Sequence, residues 1–477
     1  MASRPNIVFI ITDQQRYDTI NALGFAHVDT PNLDRLAQNG VYLTSCYAAA
    51  ASCVPARASL FTGYYPHTTG VVDNAATWRH SWVETLADNG YDCVNIGKMH
   101  TQPMDAPAGF HTRMIVENKD RSMAKRGREF VDEWDKAIAR ASFEKPGLPS
   151  YSLLNDYADR LGAFEWPLPK ELHSDTFVGG LAIDWIERKS SEKPFFLQIG
   201  FPGPHPPYDP PVEEAKPYLE RDLRIRPVRA GDVESQPEPF QQLVRKHVEG
   251  DHDAVRHKVE ATAEERHRQR AYYLANVTMI DREVGRVLDA LDARGALDDT
   301  IVVFTSDHGD MLGDHGHSQK WTMYEQVIRL PLILWSKSGF GRTGPVDAMI
   351  QHMDIAATLF DLAGVEAPSS WEARSFAPAL RGDDFEERDA VYCEQGRDVV
   401  FRFSDFVSMV RTRRWKYVHF LDGHDGQLFD LESDPHEETN LWDSPDHAAE
   451  RRAMHDRLTE WRLRSGYETR EWSEEWR

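Results

Sequence analysis

The chain has 477 residues, 28% of them charged, and a formal net charge of −22. That length exceeds the roughly 250–300 residues at which a single core stops growing and predicts two units, while the acidity argues against a nucleic-acid partner or an anionic membrane surface. Four cysteines (Cys46, Cys53, Cys93, Cys393) without metal-type spacing, and an N-terminal apolar run too short for a signal core or a span, predict a cytoplasmic protein without membrane attachment or a disulfide framework.

Ile7-Val8-Phe9-Ile10-Ile11 is an unbroken β-branched and aromatic run, the pattern of a strand buried on both faces of a helix-flanked sheet. Asp13 and Gln14 follow at its carboxyl end, where open α/β sheets place ligand sites. Pro31 marks the first turn of a helix through Ala37. Next comes Ser52-Cys53-Val54-Pro55-Ala56-Arg57, preceded by the small residues Ala48 to Ala51, which would let a substrate approach the backbone. It reads as a loop entering a helix, with Arg57 four residues after Cys53 on the same face and so a permanent cation beside a candidate nucleophile. Taken alone, the same spacing suits a buried structural cysteine.

A short helix from Trp82 to Asn89 precedes a strand from Tyr91 to Ile96, and Lys98 and His100 alternate around Met99 at its end, pointing the same way if extended. Residues 101–172 turn irregular and aromatic-rich, predicting an insertion that forms a substrate rim or lid. A helix from Phe177 to Arg188 leads to a strand from Pro194 to Gly200, beyond which prolines stiffen the backbone around His205. Residues 212–269 are charge-dense and predict a solvated excursion with surface helices. Apolar residues at steps of three and four make Arg270 to Arg294 one amphipathic helix. It feeds a strand from Thr300 to Thr305, followed by Asp307, His308 and a Gly-rich loop reaching Lys320.

Leu330 to Trp335 reads as another strand and Asp354 to Ala363 as a helix closing at Gly364. After a junction near residues 365–390, alternating runs at 407–412 and 415–420 predict an antiparallel hairpin turning at Arg413-Arg414. A strand at 427–431 and a helix at 448–463 complete a small α+β unit. The expected architecture is α/β, a large mixed sheet sandwiched by helices over 1–370, with a smaller C-terminal α+β subdomain over 371–477 carrying an antiparallel sheet. Trp472 and Trp476 in the acidic tail suggest a docking segment, or packing on their own domain, and a homo-oligomer is expected.

Separate strand ends and the adjoining loop thus carry Asp13/Gln14, Lys98/His100, His205, Asp307/His308 and Lys320. The Asp and Gln oxygens with a His could hold one divalent cation, the oxygens favouring calcium or magnesium and the nitrogen leaving manganese or zinc open. Arg57, Lys98 and Lys320 could supply the positive field that an anionic group needs.

These residues resemble the type I sulfatases of the alkaline phosphatase superfamily, from the first strand through Lys320 and again in the C-terminal hairpin followed by Leu428-Phe429-Asp430-Leu431. The resemblance implies an alkaline-phosphatase-like fold and hydrolysis of aryl or small alkyl sulfate monoesters, a small anionic ester substrate. It implies that Cys53, within Cys53-x-Pro55-x-Arg57, is converted to Cα-formylglycine by a formylglycine-generating enzyme. It also implies a metal held by Asp13, Gln14, residue 53, Asp307 and His308, with calcium favoured and manganese the alternative. A hydroxyl of the hydrated aldehyde would attack sulfur to give a covalent sulfate ester, oriented by Arg57 and Lys98. His100 would take the proton as the ester collapses, and His205 and Lys320 would bind the sulfate and the leaving alcohol. Many sulfatases have Asp-Asp and Asp-Asn where this chain has Asp13-Gln14 and Asp307-His308, and the latter pairs look like those of phosphonate monoester and phosphodiester hydrolases. Asn74 lies where that second group has a substrate-contacting asparagine, whereas Lys98 and His100 follow the sulfatase pattern. A non-catalytic module binding sulfated or phosphorylated ligands, with Cys53 unmodified, is the alternative from another class.

Overall fold

The computed structural model describes residues 4–117, 130–223, 225–421, 423 and 425–471, so Trp472 and Trp476 lie outside the described residues. The first apolar run forms β1 (Asn6–Asp13), fully buried from Ile7 onward. It sits inside an eight-stranded sheet with β2 (Val41–Tyr47), β3 (Asp92–Gly97), β4 (Thr112–Ile115), β5 (Phe195–Pro204), β6 (Thr300–Ser306), β7 (Arg329–Ser336) and β8 (Gly344–Gln351), in the order β4-β3-β5-β1-β6-β7-β2-β8. β1 pairs in parallel with β5 and β6, and β3 with β4 and β5; β7 runs antiparallel to both β6 and β2. The carboxyl ends of β1, β3, β5 and β6 therefore meet at one edge of the sheet.

Alternation along β1 divides the core. Ile7, Phe9 and Ile11 pack on one face with residues of α2 (Cys53–Thr62) and of the Asp354–Ala363 helix. Val8 and Ile10 pack on the other with α1 (Pro31–Asn39), α3 (Ser174–Arg188) and the Ala263–Ala293 helix. Fully burying each such aliphatic side chain is worth roughly 1.5–3 kcal/mol, which commits both faces to cover. The long helix begins at Ala263, earlier than its apolar period suggests, because Thr262 and Glu265 form a reciprocal capping box: the Glu265 amide donates to Thr262 Oγ1 (3.2 Å) and the Thr262 amide to Glu265 Oε2 (2.8 Å).

A second, antiparallel sheet runs β12-β11-β10-β9, with β9 (Val391–Gly396), β10 (Phe406–Arg411), β11 (Trp415–Phe420) and β12 (Gly426–Asp430), followed by a helix over Ala448–Glu468. The hairpin expected at Arg413-Arg414 joins β10 to β11.

Two stretches depart from their patterns. Within 101–172, β4 joins the main sheet as its edge strand, and Trp134 and Trp166 are buried in the main core. Within 212–269, the Glu238–Glu249 helix buries Phe240 and Leu243 against the second sheet, with Phe240 and Phe420 ring centroids 5.0 Å apart. A few large apolar residues spaced for one helical face anchor this stretch despite its dense charge. No described helix is long and apolar enough to cross a membrane, and all four cysteines are free thiols.

Candidate active site

α2 starts at Cys53, with Ser52 extended before it and all ten helical residues buried. Pro55 is tolerated because it falls in the first turn, where amides have no intrahelical acceptor. The Val54 amide is satisfied instead by Asn74 Oδ1 (3.1 Å). Cys53 thus stands at a helix N-terminus, where the aligned peptide dipoles favour negative charge.

Around its Sγ stand His308 Nε2 at 3.0 Å, Lys320 Nζ at 3.0 Å and Asp13 Oδ1 at 3.8 Å. Asp13, at the end of β1, pairs through Oδ2 with Lys98, which directly follows β3. Arg57 is wholly buried: Nε donates to Asp307 Oδ2 (2.8 Å), Nη1 donates to the Lys98 carbonyl (3.0 Å), and Nη2 lies 3.7 Å from Asp13 Oδ2. Its hydrogen bonds go to Asp307 and the Lys98 carbonyl, and the cation in hydrogen-bond contact with the thiol is Lys320. An ionised carboxylate is the stronger acceptor for a guanidinium fork.

Asp13, Cys53, Asp307 and His308 each offer a ligand atom within 4.8 Å of the others, all buried. His308 Nδ1 donates to the Gly309 carbonyl (2.9 Å), which orients the ring and turns Nε2 inward, where the neutral imidazole could ligate a metal. Gln14 turns out of β1 in the left-handed region (φ 70°) and brings Oε1 to 2.9 Å from Lys320 Nζ. That strain, on the order of 1 kcal/mol, is held by the Gln14 amide donating to Asp307 Oδ1 (3.0 Å) and the Tyr273 hydroxyl donating to the Gln14 carbonyl (2.8 Å). Two carboxylates and an imidazole gathered within 4.8 Å around the residue 53 sulfur could hold one divalent cation, with the Gln14 amide oxygen next to them on Lys320.

The electrostatics favour charged groups despite burial. Burial and the Asp13 charge oppose ionisation of the Cys53 thiol, but Lys320, His308 and Lys98 outweigh them and hold it below its usual range. Burial opposes the Asp13 carboxylate too, yet Lys98, His205, Arg57 and Lys320 keep it well below the ordinary carboxylate value. Lys320 is pushed up, against burial, by Cys53, Asp13 and Asp253.

The remaining expected residues lie at the same sheet edge in different settings. His205 follows β5; Nδ1 donates to the Pro206 carbonyl (2.7 Å) and Nε2 lies 3.3 Å from Asp253 Oδ2. Burial, then Lys320, pushes its pKa down. His100 is buried just past β3 with φ 62°, its carbonyl accepting from Trp78 Nε1 (2.9 Å). Left-handed backbone there replaces the extended geometry that would aim it alongside Lys98. Asn74 is engaged at both ends, Oδ1 by Val54 and Nδ2 by Asp398 Oδ2 (3.2 Å).

Three carboxylates join the site without having been singled out by pattern. Asp253 arrives from the charge-dense stretch, where charge alone gave no reason to prefer it. Asp398, from the loop after β9, accepts from Asn74 and from Trp321 Nε1 (2.8 Å), tying the second sheet to both sides of Cys53. Asp310, three residues after Asp307, accepts from Gln14 Nε2 (2.7 Å). A cavity of about 630 Å³ opens elsewhere, lined by Arg4, Trp185, Lys189 and Arg294 among others, and shares no residue with this cluster.

Residues 5–365 match the sulfatase family model, and residues 313–464 match the model for the C-terminal region of N-sulphoglucosamine sulphohydrolase. The chain belongs to the sulfatase family. This sulfatase is 31% identical over 464 residues to an arylsulfatase of Clostridium perfringens, covering 93% of this chain and 91% of that protein. It is 30% identical to the multifunctional alkaline phosphatase superfamily protein PehA of Trinickia caryophylli, covering 97% and 96%. Its fold superposes on the crystal structure of a phosphonate monoester hydrolase of Agrobacterium radiobacter with a TM-score of 0.82 at 26% identity, covering 97% and 96%. The mixed sheet and the C-terminal four-stranded sheet are thus alkaline-phosphatase-like, and the sulfatase is a sulfuric ester hydrolase.

Proposed function

We propose that this sulfatase hydrolyses sulfate monoesters of aryl or small alkyl alcohols, using residue 53 in its Cα-formylglycine form. The observation that carries the reading is Cys53 at the N-terminus of a buried helix, with His308 and Lys320 each 3.0 Å from its Sγ. Conversion of Cys53 by a formylglycine-generating enzyme supplies an aldehyde whose hydrate is the oxygen nucleophile. A bound divalent cation, calcium or manganese, supplies the Lewis acidity that makes such an oxygen reactive at neutral pH.

This chain's own residues do the rest. Asp13, Gln14, Asp307 and His308 hold the cation against residue 53. Arg57 braces Asp307 and the Lys98 backbone, so that strand end and helix keep one spacing. Lys98 neutralises Asp13 and orients the nucleophile, and His100 removes the proton that lets the enzyme release sulfate. Lys320 and His205 would bind the ester's oxygens, and Lys320, held protonated, would offset the charge that builds on the leaving alcohol and supply a proton to it.

A phosphonate monoester or phosphodiester hydrolase is the second reading, favoured by the Asp13-Gln14 and Asp307-His308 pairs and by the similarity to the Agrobacterium radiobacter enzyme. Steady-state kcat/KM on an aryl sulfate, an aryl phosphonate monoester and a phosphodiester decides between them. The sulfate should be turned over fastest; a dominant rate on either phosphorus ester refutes the first reading. Mass spectrometry of the Cys53 peptide should find aldehyde in active protein, and unmodified thiol alone would remove the formylglycine mechanism.

A further inference from the structure

We propose that Asp310 is a positioning residue that locks the Gln14 amide with its oxygen toward the metal-ligand cluster, and that it dictates an amide at position 14. The proposal rests on the metal-site reading above.

Gln14 is wholly buried between two partners of opposite chemistry. Its Nε2 donates to Asp310 Oδ2 (2.7 Å), and its Oε1 accepts from Lys320 Nζ (2.9 Å). A carboxylate can only accept and an ammonium can only donate, so the amide has one orientation that satisfies both ends. Asp310 is itself completely buried and fixed, accepting from the Tyr208 hydroxyl at Oδ2 (2.7 Å) and from the Leu312 amide at Oδ1 (2.9 Å). Arg16 Nη1 donates to its backbone carbonyl (3.0 Å). These bonds leave Asp310 no easy rotation away from Gln14.

The consequence is a constraint on residue identity. An acidic side chain at position 14 would place a second carboxylate at hydrogen-bond distance from Asp310 in a buried setting, where two such groups cannot both ionise. With Asp310 present, position 14 must therefore donate on one side while offering an oxygen on the other, which glutamine does. Asp310→Asn removes the charge without changing the shape and leaves one oxygen; with that oxygen held by the Leu312 amide, two NH2 groups stand face to face. Gln14 then turns its Nε2 toward Lys320 and the ligand cluster, or loses its anchor.

The test is calorimetric titration of manganese(II) into the metal-stripped full chain, with Cys53 conversion matched across variants by mass spectrometry. Asp310→Asn should weaken binding about 10–100-fold, the range typical for losing a partner that orients a metal ligand. Tyr208→Phe removes the other donor to the same Asp310 oxygen but leaves Gln14 anchored, and should change the affinity by less than about threefold, well below that range. The charge-exchanged pair Gln14→Glu with Asp310→Asn restores one donor facing one acceptor and should recover most of the affinity. If Asp310→Asn fails to fold, this pair carries the test. Unchanged affinity in Asp310→Asn, an equal loss in Tyr208→Phe, or no recovery in the exchanged pair overturns the proposal. If the unaltered chain takes up no manganese, the metal-site reading itself falls and this inference with it.

Discussion

Arg57→Ala should destabilise the metal-stripped enzyme severely, although Arg57 carries no bond to Cys53 among its hydrogen bonds. The side chain is wholly buried and makes one bond to the Asp307 carboxylate (2.8 Å) and one to the Lys98 carbonyl (3.0 Å). Hydrogen bonds of charged groups contribute about 1.5–3 kcal/mol each, and removing one partner of a buried pair costs about 3–5 kcal/mol because the other charge is stranded. Lys98 still neutralises Asp13, so Asp307 is the carboxylate that loses its hydrogen-bonded cation, and with His308 and two backbone amides still facing it a loss at the low end, about 3 kcal/mol, is expected. Urea unfolding followed by fluorescence reads this as a lower midpoint at constant slope. Asp307→Asn removes the stranded charge, so the double variant should be more stable than the sum of the single losses, by about 1–3 kcal/mol. A loss below about 1 kcal/mol for Arg57→Ala, or additivity within about 0.5 kcal/mol, would refute the argument.

Gly97→Ala should cost about 2–4 kcal/mol in the same assay, because φ is 91° and a Cβ would stand 2.1 Å from the Gly200 carbonyl oxygen; near-neutral behaviour would contradict the close approach of β3 and β5. Glu214 is pushed down to about 2 by its hydrogen bonds from Arg282 and then Lys170. Its stabilisation is therefore present above its unfolded value and lost as pH falls toward 2, so Glu214→Gln should cost about 1–2 kcal/mol at pH 7 and nothing near pH 2. An equal deficit at both pH values would show that the charge is not responsible. Asp398→Ala should lower kcat about tenfold, about 1.4 kcal/mol of barrier, by freeing Asn74 and Trp321; unchanged kcat would confine Asp398 to the fold.

What the sequence revealed and what it hid follow from how far each signal acts. β1 was legible because a strand buried on both faces must be apolar throughout, and the carboxyl-end positions of Asp13, His205 and Asp307 follow from strand direction alone. β8 was not, since an edge strand reading Gly-Pro-Val-Asp-Ala-Met-Ile-Gln carries no clean period in its first half. β9 was hidden by Glu394 and Gln395, which are buried polar residues inside a strand. Metal-ligand candidates could be inferred because they are first at their strand ends. Asp253, Asp310 and Asp398 act through contacts with residues 48, 296 and 324 positions away in sequence, and nothing local distinguishes them from surface acids.

The net charge of −22 and an anionic substrate are compatible because the two act at different ranges. Exposed carboxylates beyond about 8 Å are largely screened at physiological salt, whereas Arg57, Lys98 and Lys320 are buried within one cluster, where charges interact more strongly than in water. These cations offset Asp13 and Asp307, and a divalent cation would leave the cluster positive, enough to draw one negative charge inward. Sulfate monoesters, phosphonate monoesters and phosphodiesters each bring one such charge, so charge balance at the nucleophile treats them alike. Discrimination among leaving alcohols, by contrast, would arise at the leaving-group oxygen, where departing alkoxides differ in how much they need a proton. On the proposed reading, His205 with Asp253 3.3 Å from its Nε2, and Lys320 whose pKa Asp253 helps to raise, are the groups that would sense that difference.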